Sequence, residues 1–173
     1  MGVIVELAIN KRDIQSAREL IARELFQPAG HRLTEANDLK EGVLYVIAKD
    51  ENKVVGAGRL AVKPNIHGAS KFFKALDHSL SLTNQTLGAF KDKIAVMYGL
   101  VLEPSYRSKG IGSRLYDLRE SIAQENKKKL IVSRIRLDSW KIYSNRLYTE
   151  FGSDEVKLLN GVSVVRKWVY KII

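Results

Sequence analysis

The sequence predicts a mixed α/β fold of the α+β kind, in which helices flank a mostly antiparallel sheet that contains one parallel βαβ unit. Val43–Ala48 and Val54–Val62 are rich in β-branched residues and flank a polar turn, as antiparallel partners do. Ile94–Leu102 is an apolar strand, and a helical pattern and the strand Leu130–Leu137 follow it, which predicts a parallel crossover. Near the C-terminus, an Asn-Gly dipeptide between two further strand patterns indicates a hairpin.

The N-terminal part is predicted to contain one strand, Val3–Ile9, and one amphipathic helix. Asp13 is predicted as the N-cap of this helix, because a short acidic side chain accepts hydrogen bonds from the free N–H groups of a first turn. The helix is expected to end at residues 27–30, where Gln-Pro-Ala-Gly occurs, and the polar stretch His31–Glu41 follows.

Lys63–Lys93 is predicted as an insertion between two strands of a single domain that spans residues 1–173. Its segment Ser70–Leu80 has an apolar stripe at helical spacing, which indicates a helix that packs on the core. The rest is polar and turn-like, and long connections of this kind are often functional. We therefore expect the insertion to border a binding site, together with His31–Glu41.

The C-terminal part is predicted to form a helix and two strands. The helix is expected to span Trp140–Phe151, with Gly152 ending it in the left-handed conformation that glycine adopts readily. The strands Val156–Leu159 and Val162–Ile173 are expected to pair through the tight turn that Asn-Gly favours.

Leu100–Ser113, with the sequence LVLEPSYRSKGIGS, is the most informative stretch, because a strand leads through a glycine-rich basic loop into a helix. The N–H groups of a first helical turn have no partners within the helix and carry partial positive charge. Gly110 and Gly112 leave room for a phosphate to approach these groups, and Arg107 and Lys109 add positive charge. This order predicts a cradle that binds a pyrophosphate.

Two familiar phosphate-binding motifs do not fit this cradle. A P-loop ends in Gly-Lys-Ser/Thr, whereas Gly112 is followed by Ser113 and Arg114. A dinucleotide-binding loop has a third glycine where this chain has Leu115. The sequence therefore points to a phosphate ligand of another kind.

Composition narrows the classes of protein and of partner. The chain has no Cys and three His, which excludes disulfides and thiol catalysis and argues against a metal site. The net charge of +10 favours an anionic partner, but apart from Lys127–Lys129 the positive charges are scattered, which argues against nucleic acid. Because no apolar run could cross a bilayer and no signal peptide is visible, we expect a cytoplasmic protein without a membrane partner.

The order Pro-x-x-Arg-x-x-Gly-x-Gly after a strand, from Pro104 to Gly112, resembles the acetyl-CoA-binding motif of the GNAT superfamily of N-acetyltransferases. The resemblance implies a GNAT-like sheet, acetyl-CoA as the cosubstrate and an amine-bearing acceptor. It also implies a bulge in the strand before the motif that opens backbone groups to the pantetheine arm, and Gly99 suits such a bulge. The implied cofactor-binding residues are Leu100, Val101, Leu102, Arg107, Ser108, Lys109, Gly110, Ile111, Gly112 and Ser113.

A second segment, Leu147–Gly152, is similar to the Leu-Tyr-x-x-x-Gly segment of the same family. The match implies that Tyr148 is the general acid that protonates the departing thiolate. A phenol titrates near pKa ~10 and a thiol near ~8.5, so this proton transfer is only mildly uphill. Lys141 stands where the family usually has an Asn that contacts the pantetheine arm, and we expect Lys141 at the cofactor for that reason.

Three functions remain open from the sequence. The first is transfer of an acetyl group from acetyl-CoA to a primary amine of a small molecule or a protein, by direct attack in a ternary complex. The second is acyl transfer from a longer acyl-CoA or from an acyl carrier, as in the acyl-homoserine-lactone synthases of similar fold. The third is a non-catalytic protein that binds CoA or RNA. The positive charge of the chain favours an acceptor that carries an anionic group. The sequence identifies no general base, and it leaves open whether the protein forms a homodimer.

Overall fold

A seven-stranded sheet organises the part of the chain that the computed structural model describes, namely residues 2–26, 42–64, 71–157 and 161–173. In space the strands follow the order β1-β2-β3-β4-β5-β7-β6. β4 and β5 are parallel, and the other neighbouring pairs are antiparallel. The strands are β1 (Ile4–Leu7), β2 (Val43–Asp50), β3 (Lys53–Ala61), β4 (Ile94–Leu102), β5 (Leu130–Arg136), β6 (Thr149–Lys157) and β7 (Ser163–Ile172). The predicted mixed sheet with one parallel βαβ unit is confirmed.

Helices cover both faces of this sheet. They are α1 (Lys11–Ile21), which continues as a π-helical turn (Ala22–Phe26), α2 (Lys71–Ser81), α3 (Ile111–Glu125) and the short α4 (Trp140–Ser144). α3 packs on one face through residues such as Leu115 and Tyr116, which join the core cluster of Ala95 and Ile131. α1 and α2 pack on the opposite face, which is the face used by the alternate residues of the same strands. None of the described helices is long and apolar enough to cross a membrane.

The start of α1 differs from the prediction. Asn10, not Asp13, is the N-cap, since its side-chain Oδ1 accepts a hydrogen bond of 2.8 Å from the Asp13 N–H. Asp13 lies in the first turn, where its carboxylate accepts a hydrogen bond of 3.0 Å from Lys49 of β2. The prediction erred because Asp and Asn are both good caps and sequence alone does not rank two candidates three residues apart. The predicted end of the helix at 27–30 and the stretch His31–Glu41 lie outside the described residues.

The segment after β3 contains a helix that packs on the core, as the sequence predicted. Phe72, Leu76 and Leu80 of α2 are buried, and they belong to one cluster with Ile94 of β4 and Trp168 of β7. The described part of the insertion therefore covers apolar surface of the sheet that would otherwise be exposed to water.

The predicted helix Trp140–Phe151 is wrong in its second half. α4 ends after five residues, and the chain enters β6 at Thr149. Leu147 has φ +62°, and two reverse hydrogen bonds close the helix, from the Leu147 N–H to the Ser144 carbonyl (3.1 Å) and from the Tyr148 N–H to the Tyr143 carbonyl (3.2 Å). This is the pattern of a Schellman helix end, with a leucine at the position where glycine is usual.

Gly152 consequently lies within a strand and not at a helix end. It pairs with Trp168 of β7, and a Cβ at Gly152 would lie 2.7 Å from Cε3 of the Trp168 ring. The glycine is therefore explained by close approach of an aromatic ring. The predicted C-terminal hairpin is present as β6 and β7, although residues 158–160 of its turn lie outside the described residues.

Candidate active site

A split between the two parallel strands forms the centre of the site. β4 and β5 are paired from Ile94 with Leu130 as far as Met97 with Ser133, and within the described residues no pairing continues beyond that point. At the fork, the Ser133 hydroxyl donates a hydrogen bond of 2.9 Å to the Met97 carbonyl. β4 nevertheless runs on to Leu102, so its backbone edge beyond the fork is open toward β5. A groove of about 780 Å³ occupies this split.

A bulge lies at the point where the split begins. In the register of β3 and β4, Ala57 faces Val101 but Arg59 faces Tyr98, so β4 has one extra residue. Gly99 adopts φ +57°, which glycine tolerates without the strain that a side chain would add. The bulge turns the backbone at the start of the open edge, and bulges often redirect groups at active sites in this way. The prediction of a bulge at Gly99 is confirmed.

The glycine-rich loop has the geometry expected of a phosphate cradle. Gly110 is the N-cap of α3 with φ +74°, and no side chain caps the first turn. A Cβ at Gly110 would meet nothing within 4 Å, so the space beside the helix start is open. Ile111 is 4% exposed and anchors this turn in the core, while the preceding loop is exposed. Open space beside uncapped N–H groups at a helix N-terminus fits a pyrophosphate.

Two basic residues of the loop are held at the mouth of the groove. Arg107 donates hydrogen bonds to the Leu102 carbonyl (3.1 Å) and to Glu24 of the π-helical turn (3.0 Å). The Nζ of Lys109 lies 5.3 Å from the centre of the Tyr106 ring. Both cations are therefore placed at the end of β4, beside the cradle.

Of the predicted cofactor residues, Ile111 is buried in the core, and the others divide into three groups. Leu100, Val101, Leu102, Arg107 and Gly112 line the groove. Ser108, Lys109, Gly110 and Ser113 are exposed at the adjoining loop and helix start. Lys141 is exposed on α4 and is not among the described residues that line the groove. The strand and loop residues are thus brought together, whereas Lys141 is not.

Three tyrosines form a cluster beside the groove. Tyr116, Tyr143 and Tyr148 pack edge to face, with ring centres 5.2 to 5.8 Å apart. The Tyr148 hydroxyl is buried and has no hydrogen-bond partner among the described residues, and burial raises the pKa of Tyr148. Tyr143, in contrast, lines the groove. The sequence motif pointed to Tyr148, and nothing in the sequence marked Tyr143 as part of the groove lining.

Another part of the groove lining is basic and aromatic. It is lined by the arginines Arg59, Arg134, Arg136 and Arg166 and by Phe72, Phe73 and Tyr98. No pattern in the sequence indicated these arginines, because they come from three different strands. Among the described residues, no group of three or more His, Asp or Glu side chains could hold a metal ion.

A comparison with family models identifies the chain. The model of the acetyltransferase (GNAT) family matches residues 12–152. The chain belongs to the GNAT family. The match covers the split, the bulge, the cradle and the tyrosine cluster of this GNAT protein. No curated protein sequence matches the chain closely enough to count as a relative.

Solved structures share the GNAT fold over nearly the whole chain at low sequence identity. YncA of Salmonella typhimurium, described as an acetyltransferase and solved with acetyl-CoA, has a TM-score of 0.69 at 13% identity, covering 99% of this chain and 94% of its own. The ribosomal-protein-S18-alanine N-acetyltransferase of Escherichia coli has a TM-score of 0.67 at 11% identity, with coverage of 99% and 94%. FeeM, an N-acyl amino acid synthase from uncultured soil microbes, has a TM-score of 0.66 at 12% identity, with coverage of 98% and 91%.

Proposed function

We propose that this GNAT protein transfers an acetyl group from acetyl-CoA to a primary amine, by direct attack of the amine in a ternary complex. The observation that carries the proposal is the split between β4 and β5, which opens directly beside an uncapped, glycine-flanked helix start. One end of the groove can hold a phosphate, and its middle offers a free strand edge. Family membership supports the same reaction class.

The residues present fit acetyl-CoA as the cosubstrate. The first-turn N–H groups after Gly110, with Arg107 and Lys109 nearby, would hold the pyrophosphate. The open edge of Leu100–Leu102 would pair with the amides of the pantetheine arm as a neighbouring strand would. N–H groups at the bulge would polarise the thioester carbonyl, because fixed backbone donors stabilise negative charge that develops on an oxygen.

Tyr143, rather than Tyr148, is the proposed proton donor to the departing thiolate. Tyr143 lines the groove, whereas the Tyr148 hydroxyl is enclosed by the tyrosine cluster. Tyr148 would then support the Tyr143 ring, from which its own ring centre is 5.3 Å distant. We thus propose for Tyr143 the catalytic role that the sequence motif implied for Tyr148.

The arginines of the groove assist the acceptor amine. An amine must be neutral to attack, and nearby positive charges lower the pKa of a bound ammonium group. Among the described residues that line the groove, Glu24 is the one carboxylate, and Arg107 and Arg23 are both ion-paired with it. The groove therefore favours the neutral amine through its own charge, and no side chain is assigned as a general base.

Initial-rate kinetics with a panel of amines tests the proposal. CoA release should depend on both acetyl-CoA and an amine, and double-reciprocal plots should intersect, as expected for a ternary complex. Longer acyl-CoA donors and CoA itself, run in parallel, test the acyltransferase and binding-protein alternatives. Failure of acetyl-CoA to bind in calorimetry would overturn the function, and parallel plots would overturn direct attack.

A further inference from the structure

Arginines from two adjacent strands meet on one face of the sheet, across the split from the open edge of β4. In the antiparallel register of β5 and β7, Arg136 lies directly opposite Arg166, and Arg134 lies opposite Trp168. Arg134 and Arg136 are two residues apart on β5, so they share this face. We call Arg134, Arg136 and Arg166 the arginine cluster, and all three line the groove.

The arginine cluster brings three positive charges close together on the sheet. Like charges directly opposite each other on a sheet are destabilising, and Arg136 faces Arg166 in this way. Asp154 of β6 accepts two hydrogen bonds from Arg166, at 3.2 and 2.6 Å, and a third from the Trp168 indole at 3.0 Å. One carboxylate, already engaged with Arg166 and Trp168, therefore lies beside a cluster of three guanidinium groups.

Arg134 is held in place by aromatic rings and not by hydrogen bonds. Its guanidinium carbon lies 4.7 Å from the centre of the Phe72 ring and 5.6 Å from that of Trp168. Among the described residues, this guanidinium group has no hydrogen-bond partner. Burial lowers the pKa of Arg134, Asp154 partly offsets that effect, and Arg166 adds repulsion. A planar cation fixed by rings with its donors unused is suited to bind a carboxylate in two-pronged fashion.

The position of Arg134 relative to the bulge sets the size of the ligand. Arg134 follows Ser133, which pairs with Met97, the residue just before Tyr98 and the bulge. Arg134 is the first residue of β5 beyond the fork, so it lies close to the point where the split opens and transfer is proposed. A molecule with its amine at the bulge and an anionic group at Arg134 would have few bonds between the two.

We propose that Arg134, assisted by Arg166, binds a carboxylate group of the acceptor, so that the acceptor is a small amine of the amino-acid type. This inference rests on the proposed N-acetyltransferase function and names its class of acceptor. The aromatic residues Phe72, Phe73 and Tyr98 beside the cluster would pack against the body of that molecule.

Acceptors that differ only by the carboxylate test the inference. L-phenylalanine against 2-phenylethylamine and L-lysine against cadaverine form two such pairs. We expect kcat/KM to be at least tenfold higher for the carboxylated member of a pair, mainly through KM. Equal values within both pairs would overturn the inference, as would phosphoethanolamine exceeding every carboxylated amine.

Substitutions test whether Arg134 is the residue that causes the preference for carboxylated acceptors. In Arg134→Gln the preference for the carboxylated member should fall to nearly one, and Arg134→Lys should restore part of it because the charge returns without the planar fork. Arg12→Gln, which removes an exposed charge on α1 outside the groove, should keep the full preference. A preference that survives in a folded Arg134→Gln variant would contradict the assignment.

Binding of the product gives a readout that does not depend on turnover. With CoA present, N-acetyl-L-phenylalanine should bind at least tenfold more tightly than N-acetyl-2-phenylethylamine, and Arg134→Gln should remove the difference. If acetyl-CoA binds and the two members of each pair behave alike, the proposed function survives and the inference is wrong. If acetyl-CoA does not bind, both are wrong.

Discussion

Two buried tyrosines five residues apart differ in whether they line the groove, and we base the proposed assignment of the general acid on this difference. The Tyr148 hydroxyl is buried among rings without a partner among the described residues, whereas Tyr143 lines the groove. A general acid has to come within hydrogen-bond reach of the group that it protonates. For this reason we propose Tyr143 as the general acid, whereas the sequence motif matched Tyr148.

Replacement of each tyrosine by phenylalanine separates the two roles. Tyr143→Phe keeps the ring and removes the proton, so kcat should fall about a hundredfold with little change in KM for acetyl-CoA. Tyr148→Phe is the matched control in the same cluster, and its kcat should stay within about threefold of wild type. Loss of a buried hydroxyl without a partner should also leave stability unchanged or slightly higher. A large loss of kcat in Tyr148→Phe, together with a near-normal kcat in Tyr143→Phe, would instead identify Tyr148 as the general acid.

The short helix α4 shows how one residue in an unusual conformation hides an element boundary. The Tyr-x-x-x-Gly pattern of Tyr148 and Gly152 predicted a helix that ends at Gly152. The helix ends instead before Leu147, at a left-handed position filled by an exposed leucine. β4 was predicted with its observed bounds, because its apolar run ends at a proline and depends on local sequence alone.

Glycine at position 147 should stabilise the protein. Leucine at φ +62° carries a cost of about 1–2 kcal/mol that glycine does not, and Leu147 is 82% exposed, so little packing is lost. Leu147→Gly should raise the free energy of unfolding by about 1 kcal/mol, which corresponds to about 2–4 °C in Tm. Leu147→Ala shortens the side chain but keeps the strain, and should bring no such gain. Equal stability of the two variants in thermal unfolding would exclude the strain argument.

At the scale of the whole molecule, the sequence predicted what is local and missed what depends on strand pairing. The cradle is one continuous stretch, so its residues could be named in advance. The arginine cluster forms because β5 pairs with β7, in which Arg166 lies 30 positions after Arg136, and composition showed only a net charge of +10. Which tyrosine lines the groove was likewise not evident from the sequence, since that depends on packing between distant elements.

The insertion is expected to be indispensable for folding as well as for acceptor binding. Deletion of residues 70–88 would remove α2 and with it the buried side chains of Phe72, Leu76 and Leu80. Loss of each such side chain costs about 2–5 kcal/mol. The three losses together are about as large as the whole free energy of unfolding of a typical domain. The deletion variant should show no cooperative thermal transition, whereas Phe73→Ala, at a partly buried groove residue, should stay folded and lose acceptor kcat/KM. A folded deletion variant would show that α2 is a peripheral element.

Calorimetric titration of acetyl-CoA into the wild type and a Gly112→Val variant tests the central claim most directly. Gly112 lies in the first turn of α3 and lines the groove, and a Cβ there would meet Leu102 at an ordinary 3.5 Å, so the fold should accept the change. The added methyl groups should crowd the cradle and weaken binding of acetyl-CoA at least tenfold, about 1.4 kcal/mol.

Gln124→Val, at an exposed position of the same helix, controls for the cost of a β-branched residue in a helix. The account predicts tight binding by the wild type and the Gln124 variant and at least tenfold weaker binding by Gly112→Val. Undetectable binding by the wild type, or unchanged binding by a folded Gly112→Val variant, would contradict it.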